Sequence, residues 1–300
     1  MKTAILTPYF NYCGYKSREK AILTQKMSLE ASGWPSDDYH VVELIFAGRE
    51  HYQLPMMKNK TVLRSHSVMW QKERLLNYGI AKLLEKGYEA IVWVDADANL
   101  DAKLIALIQK KLETYRAVQG FDIGYYGDHE SFGFVANAQM RDNEWIGAGG
   151  WPGGIWGARA EFLQKIELYD YCIIGGGDAV FAKTCVMANR GMSDPRFFVS
   201  NLPALKVASR HYIHNAVLYF NSCLALISPG DIGYVQQSVS FQTHGSLEKR
   251  KYESRHKLLG KYDPRFDVEI VDGVFEWTPN SGVDKAEMEG YFESRDEDAV

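Results

Sequence analysis

Strand and helix signals alternate through residues 1–120, and this alternation constrains the chain more than any other feature. Residues 2–10 read as a strand ending at Pro8, and residues 17–32 carry helical spacing through Ala21, Ile22, Met27 and Leu29 until Gly33-Trp34-Pro35 breaks it. Residues 39–46 (YHVVELIF) form a compact strand pattern. Leu76, Ile80, Leu83 and Leu84 then predict a helix over 67–86, stopped by Gly87. Ala90-Ile91-Val92-Trp93-Val94 is a short apolar run of the kind buried on both faces of a sheet. An amphipathic helix over 102–115 and a strand over 117–121 follow. Such a series predicts an α/β fold with a mostly parallel sheet flanked by helices. Downstream, 203–227 reads as helix and 233–243 as strand, while the polar end of the chain shows little periodicity. The expected organisation is one α/β domain over 1–240 and an extension over 241–300 that wraps back onto the site.

Composition removes several classes. With 46% apolar and 24% charged residues the chain is an ordinary globular sequence, not disordered, collagenous or coiled-coil. The net charge of −4 gives no support for nucleic-acid binding through bulk charge, although 58–64 and 249–257 are locally basic. No apolar run approaches the roughly 18 residues of a membrane span, and the start lacks the apolar length of a signal peptide. Cys13, Cys172, Cys185 and Cys223 lie far apart without a CxxC pair, which predicts reduced, mostly buried thiols and a cytoplasmic protein. No phosphate-binding GxxxxGK[ST], HExxH or GxSxG motif occurs, which lowers the NTPase and hydrolase readings.

Three segments can carry chemistry. The run 90–94 ends abruptly in Asp95-Ala96-Asp97. Two carboxylates one residue apart point the same way on an extended chain. At the carboxyl end of a parallel strand they face the crevice where α/β sheets bind ligands, and their hard oxygens suit Mg²⁺ or Mn²⁺. A bland alternative is a strand-end turn with solvated acids, and Asp-x-Asp recurs by chance at Asp296-Glu297-Asp298. Glycines then concentrate in 147–157, with Trp151 and Trp156 interleaved, and in Gly175-Gly176-Gly177 ahead of Asp178. Glycine lets backbone approach a bound sugar or phosphate, and Asp178 is either a general base or a helix N-cap. Finally, Thr243-His244-Gly245-Ser246 precedes Arg250, Tyr252 and Arg255. One histidine can complete a carboxylate metal shell, and the arginines can neutralise a diphosphate.

In that order and spacing, these segments resemble a GT-A-type nucleotide-sugar glycosyltransferase of a bacterial and phage-associated branch, related to the glycosyltransferase 2-like and galactosyltransferase C-terminal-like groups. The resemblance runs from Thr7-Pro8-Tyr9-Phe10-Asn11 through 70–80 and Val92-Trp93-Val94-Asp95-Ala96-Asp97. It continues in Gly154-Ile155-Trp156-Gly157, Ile174-Gly175-Gly176-Gly177-Asp178 and His244-Gly245-Ser246, and ends in 291–298. It implies a metal-dependent enzyme that moves a sugar from a nucleoside-diphosphate sugar, UDP first among the nucleotides, to an acceptor hydroxyl with inversion. Asp95, Asp97 and His244 would hold Mn²⁺ or Mg²⁺. Thr7, Pro8, Phe10, Lys72, Asn77, Asp95, Arg250, Tyr252 and Arg255 would meet the donor. Trp151, Gly153, Gly154, Trp156, Gly176 and Gly177 would line the acceptor side, and Asp178 would be the base. The acceptor implied is an envelope glycan, a modified DNA base or a protein. One departure stands out: galactosyltransferase-like relatives carry Glu-Asp where this chain has Gly177-Asp178. A non-catalytic nucleotide-sugar-binding module and a nucleotidyltransferase are the competing readings. The second expects a glycine-rich basic loop after the first strand, where residues 11–18 hold only Gly14.

Overall fold

The computed structural model describes residues 1–140, 149–246, 248–251 and 254–299. Among these, the central sheet is built from β1 (Thr3–Phe10), β2 (Tyr39–Phe46), β3 (Lys60–Ser65), β4 (Ala90–Val94), β5 (Ala117–Gln119), β6 (Ile155–Arg159) and β7 (Ile232–Tyr234). Their order is β3-β2-β1-β4-β6-β5-β7. Every neighbouring pair is parallel except those of β6, which runs antiparallel to both β4 and β5. The helices α1 (Lys16–Ala31), α2 (Lys72–Glu85) and α3 (Ala102–Leu112) connect β1 to β2, β3 to β4 and β4 to β5. The mixed, mostly parallel α/β sheet expected from the alternation is what the chain forms.

Burial on both faces explains the strand sequences. Along β1, Ala4, Leu6 and Phe10 join one hydrophobic cluster, and Ile5 and Tyr9 join the other. Along β4, Ile91 and Trp93 face the first cluster and Ala90, Val92 and Val94 the second. Each such fully buried aliphatic or aromatic side chain contributes roughly 1.5–3 kcal/mol. β1 does not stop at Pro8: Pro8 keeps its place opposite Val42, and the strand runs on to Phe10.

Other boundaries moved for identifiable reasons. The helix expected over 67–86 starts only at Lys72. The residues before it are engaged elsewhere: Ser67 Oγ accepts from the Trp277 amide at 2.8 Å, and Gln71 bonds Phe275 in both directions at 2.7 and 2.9 Å. The helix expected over 203–227 breaks where Ser209 caps a new one, Arg210–Leu224. The strand expected over 233–243 splits between β7 and Ser238–Phe241, which belongs to a separate small sheet. The end of the chain is more structured than its composition suggests. It forms the hairpin Val268–Val271/Val274–Trp277 and the helix Lys285–Ser294. Val274, Phe275, Met288, Tyr291 and Phe292 enter the same core as the sheet. The four cysteines are unpaired, and three are buried. Among the described residues no helix is long and apolar enough to cross a membrane.

Candidate active site

The sheet order places a reversal between β1 and β4, and the carboxyl end of β4 carries both acids of the Asp95-x-Asp97 motif. The backbone turns at once: the Ala98 amide donates to the Asp95 carbonyl at 3.0 Å. Gln25 of α1 clamps this turn, donating from Nε2 to the carbonyls of Asp95 and Ala98 at 2.8 and 3.0 Å, while Thr7 Oγ1 donates to its Oε1 at 2.9 Å. The expectation that both carboxylates point one way therefore fails, because the chain leaves the extended conformation at Asp95. The two acids enter neighbouring polar clusters.

The first cluster surrounds Lys72, the first residue of α2. Its Nζ lies 3.0 Å from Asp178 Oδ2, 3.2 Å from Asp95 Oδ1 and 3.7 Å from Glu73 Oε1. Asp95 also accepts from the Gly154 amide at 3.3 Å. Burial opposes the Lys72 ammonium, but Asp178, Asp95 and Glu73 outweigh it and hold its pKa well above the usual lysine value. Burial would raise all three carboxyls. For Asp178 the Lys72 charge and hydrogen bond win, and its pKa falls below the ordinary range. For Asp95, burial together with the charges of Asp97 and Asp178 prevails over Lys72, and its pKa rises. Glu73 is pushed up to about 8 by burial despite Lys72. Lysine thus lowers the pKa of Asp178, while burial raises those of Asp95 and Glu73.

Glycine makes this crowding possible. A Cβ on Gly153 would lie 2.4 Å from Asp178 Oδ2. A Cβ on Gly177 would lie 2.3 Å from the Tyr169 carbonyl and 2.8 Å from the Glu73 carboxyl carbon. The departure at Gly177-Asp178 thus has a physical reason: Glu73, arriving from α2, fills the space a side chain at 177 would need. Glu73 Oε1 also accepts from the Asp178 amide at 3.2 Å.

The second cluster is assembled from distant sequence. The Gln242 amide donates to the Asp97 carbonyl at 2.7 Å, and this brings His244 to the Asp97 side chain. His244 Nε2 sits 2.9 Å from Asp97 Oδ2 across 147 residues of chain, and Nδ1 sits 3.0 Å from Glu297 Oε2. Tyr126 fixes the histidine backbone, with its hydroxyl accepting from the His244 amide at 2.6 Å and donating to the carbonyl at 2.7 Å. Arg250 Nη2 donates to the same hydroxyl at 2.6 Å and lies 3.1 Å from His244 Nε2. Glu297 is held by Arg295 Nε at 2.5 Å and Arg18 at 3.4 Å. Burial would lower the His244 pKa, but Asp97 and Glu297 raise it.

Among the described residues, no group of three or more His, Cys, Asp or Glu side chains converges tightly enough to hold a metal ion. Of the three expected ligands, Asp97 and His244 are in contact, while Asp95 lies on Lys72. The pair still fits a hard divalent cation. Mg²⁺-type ions take one or two carboxylates and fill the remaining positions with water and substrate phosphates. A ligating histidine normally has its other ring nitrogen held by a carboxylate, the place Glu297 occupies.

Several residues expected to touch a ligand are engaged inside the protein instead. Thr7 is fully buried on Gln25, and Pro8 is buried in mid-strand. Phe10 packs edge-on against Trp70 at 5.1 Å and against Phe292. Asn77 clips the Leu168 backbone and Asp170. Trp156 is 2% exposed, stacks on Trp93 and donates to the Pro152 carbonyl. Trp156 nonetheless lines a small cavity together with Lys72, Asp95, Gly153, Gly154 and Asp178, whereas the other four are enclosed by protein. Trp151, half-buried, packs on Phe241 with ring centroids 4.5 Å apart. Gly154 adopts φ +87 with Phe241 against it, and Gly176 caps the Asp178 helix. Arg255 donates to the Tyr291 hydroxyl at 3.1 Å. Gly147 and Tyr252 lie outside the described residues. The sequence reading missed Gln25, Glu73, Tyr126 and Arg295 as site-builders and took Glu297 only as part of an acidic tail. None belongs to a local motif, so only their buried three-dimensional partners identify them.

No protein-family model matches the chain, and no curated protein does. Among solved structures it is similar to glucosyl-3-phosphoglycerate synthase from Mycobacterium tuberculosis in complex with Mn²⁺, uridine diphosphate and phosphoglyceric acid, at 12% identity and a TM-score of 0.45, over 86% of this chain and 75% of that one. It is also similar to a putative nucleotide-diphospho-sugar transferase from Desulfovibrio desulfuricans G20, at 10% identity and a TM-score of 0.37, over 80% and 81%. A third is the catalytic domain of Drosophila beta1,4galactosyltransferase 7 in complex with xylobiose, at 13% identity and a TM-score of 0.34, over 63% and 62%.

Proposed function

We propose that the chain is a metal-dependent glycosyltransferase that moves a sugar from a nucleoside-diphosphate sugar to an acceptor hydroxyl with inversion of the anomeric centre. UDP is the nucleotide to test first. The observation that carries this reading is His244 Nε2 at 2.9 Å from Asp97, backed by Glu297, beside a second cluster whose carboxylate Asp178 is kept charged by Lys72.

Asp97 and His244 would hold Mn²⁺ or Mg²⁺, and Asp95 would stay on Lys72 and the Gly154 amide. A divalent ion there would neutralise the negative charge of the leaving diphosphate. Arg250, fixed by Tyr126, adds positive charge at the same place, and Arg255 follows in the same segment. The extension 241–300 supplies His244, Arg250, Arg255 and Glu297, so in this reading it completes the donor site of domain 1–240.

Asp178 Oδ2 would take the proton from the acceptor hydroxyl. A carboxylate with a depressed pKa is a weak base toward a resting alcohol. It accepts the proton once the attacking oxygen gains positive charge. Lys72 holds Asp178 in place and ionised, and Glu73 fixes the backbone of the same residue. Attack on one face with departure of the diphosphate from the other inverts the sugar, through an oxocarbenium-like state analogous to that of glycoside hydrolysis.

The test is a thermal-shift screen of UDP-, GDP-, CMP- and dTDP-sugars with and without Mn²⁺, followed by NMR of the product anomer. Stabilisation that needs both nucleotide and metal, and a product anomer opposite to the donor's, are expected. A product anomer matching the donor's would remove Asp178 from the role of inverting base.

A further inference from the structure

The helix Gly177–Asn189 begins at Gly176 with φ 108, and its first amides are taken by Glu73 Oε1, at 3.2 Å from the Asp178 nitrogen, and by Asp178 Oδ1, at 2.8 Å from the Ala179 nitrogen. Its first turn faces an unusual set of neighbours. A Cβ on Gly176 would lie 3.4 Å from His256 Nε2. A Cβ on Gly175 would lie 3.3 Å from Arg255 Nη2 and 3.3 Å from the Trp70 indole. His256 is 7% exposed, its ring lies against the Gly175 backbone, and neither ring nitrogen has a side-chain hydrogen-bond partner among the described residues. Trp70 Nε1 is likewise buried without a partner. A polar atom left unmatched in the interior costs stability, so several in one place mark a position where a ligand or water supplies the bonds.

The chemistry of the set selects the ligand. The guanidinium and the indole N–H only donate, the imidazole offers one N–H, and the start of a helix carries partial positive charge. Two carboxyl groups also reach this helix start, Asp178 and Glu73, and Lys72 faces both, at 3.0 and 3.7 Å. Donors facing a two-glycine approach suit the oxygens of an anion. We propose that Gly175, Gly176, Trp70, Arg255 and His256 form a subsite for a phosphoryl or carboxylate group, beside Asp178. Tyr291 stands between it and the His244 cluster, receiving Arg255 at 3.1 Å and donating to the Arg250 carbonyl at 3.3 Å. The anion has two sources: the diphosphate of the donor, or an anionic group on the acceptor. The subsite itself is a claim about binding and holds independently of turnover.

The experiment is calorimetric titration of the full chain with inorganic phosphate, alone and after saturation with UDP and Mn²⁺, and with UDP and Mn²⁺ separately. His256→Phe keeps the ring volume and removes both nitrogens, and Trp70→Phe removes only the indole N–H. Loss of a hydrogen bond to a charged group predicts at least about tenfold weaker anion binding for His256→Phe and a smaller loss for Trp70→Phe. If His256→Phe does not fold, His256→Gln and Trp70→Phe carry the test. Phosphate binding that survives UDP saturation and depends on His256 assigns the subsite to an anionic acceptor. Phosphate blocked by UDP, with UDP itself weakened by the variants, assigns it to the donor. Phosphate and UDP affinities both within about twofold of wild type in the variants overturn the subsite, as does absent phosphate binding with unchanged UDP affinity. A variant-sensitive anion site in a protein that turns over no nucleotide sugar would retire the transferase reading and leave the subsite standing.

Discussion

The Lys72 and His244 clusters differ in how they are built. Around Lys72, the parts come from the ends of β4, α2 and the Asp178 helix, and three carboxyl groups share one small volume around the lysine ammonium. Around His244, the parts come from a loop after β4, the small sheet and the last residues of the chain, and acid and base alternate: Asp97, His244, Glu297, Arg295. The first arrangement sets protonation states. The second sets orientation, since each group in the series fixes the next. On the proposed chemistry, breaking the first should impair proton transfer and breaking the second should impair binding of metal and nucleotide.

The largest expected effect is at Asp178. Asp178→Asn removes the proposed base while keeping the shape and the amide oxygen that can face Lys72. General-base catalysis is worth roughly 10²–10⁴-fold, so transfer should fall by about that factor. UDP affinity in Mn²⁺ should hold by calorimetry. A matching loss of UDP affinity would mean the two clusters are one functional unit.

Asp97→Asn and His244→Ala strike the other cluster. Mn²⁺-dependent binding of UDP should be lost, and binding in chelator should not change. Full transfer by Asp97→Asn in metal-free buffer would refute the metal role. Glu297→Gln is subtler, because the residue touches no proposed ligand. Removing a carboxylate behind a metal-binding histidine costs about 10–100-fold in metal affinity. That loss should appear in a Mn²⁺ titration, with kcat recovering at saturating metal. A purely structural Glu297 would lower the melting temperature and leave the Mn²⁺ midpoint where it was.

The same contrast explains what the sequence could reveal. The strand-helix alternation exposed β1, β2, β4 and their helices because apolar period and length are local signals. It did not expose β3, an edge strand whose Lys60, Thr61 and Arg64 blur the pattern, as edges commonly do. Nor did it expose β6, whose residues read as part of a glycine-rich segment and whose antiparallel slot between β4 and β5 is a tertiary fact. At the site, Asp95, Asp97, Asp178 and His244 stood out as candidates because each lies at a strand end, opens a helix or adjoins a glycine. Glu73 was hidden inside an ordinary helix pattern, and Glu297 inside an acidic run. Their roles depend on burial and partners that no short window contains. Phe10 and Trp156 show another limit, since a large aromatic near glycines fits a sugar platform and a core equally well.

Glu73 gives the smallest effect and the sharpest test of the first cluster's electrostatics. Its ordinary pKa is 4.5, and in the folded protein burial carries it to about 8. An acid with a raised folded pKa binds a proton in the native state that the unfolded chain has already released. Between about pH 4.5 and 8 the folded form therefore holds more protons, and stability falls as pH rises through that window. Glu73→Gln should remove this slope. Its amide oxygen can still accept from the Asp178 backbone, so the melting temperature should exceed wild type's near pH 8 and match it near pH 4.5. Identical melting curves for the two proteins across the window would mean that Lys72 keeps Glu73 ionised. Glu73 and Asp178 would then both be ionised beside Lys72, and charge state would no longer distinguish the two.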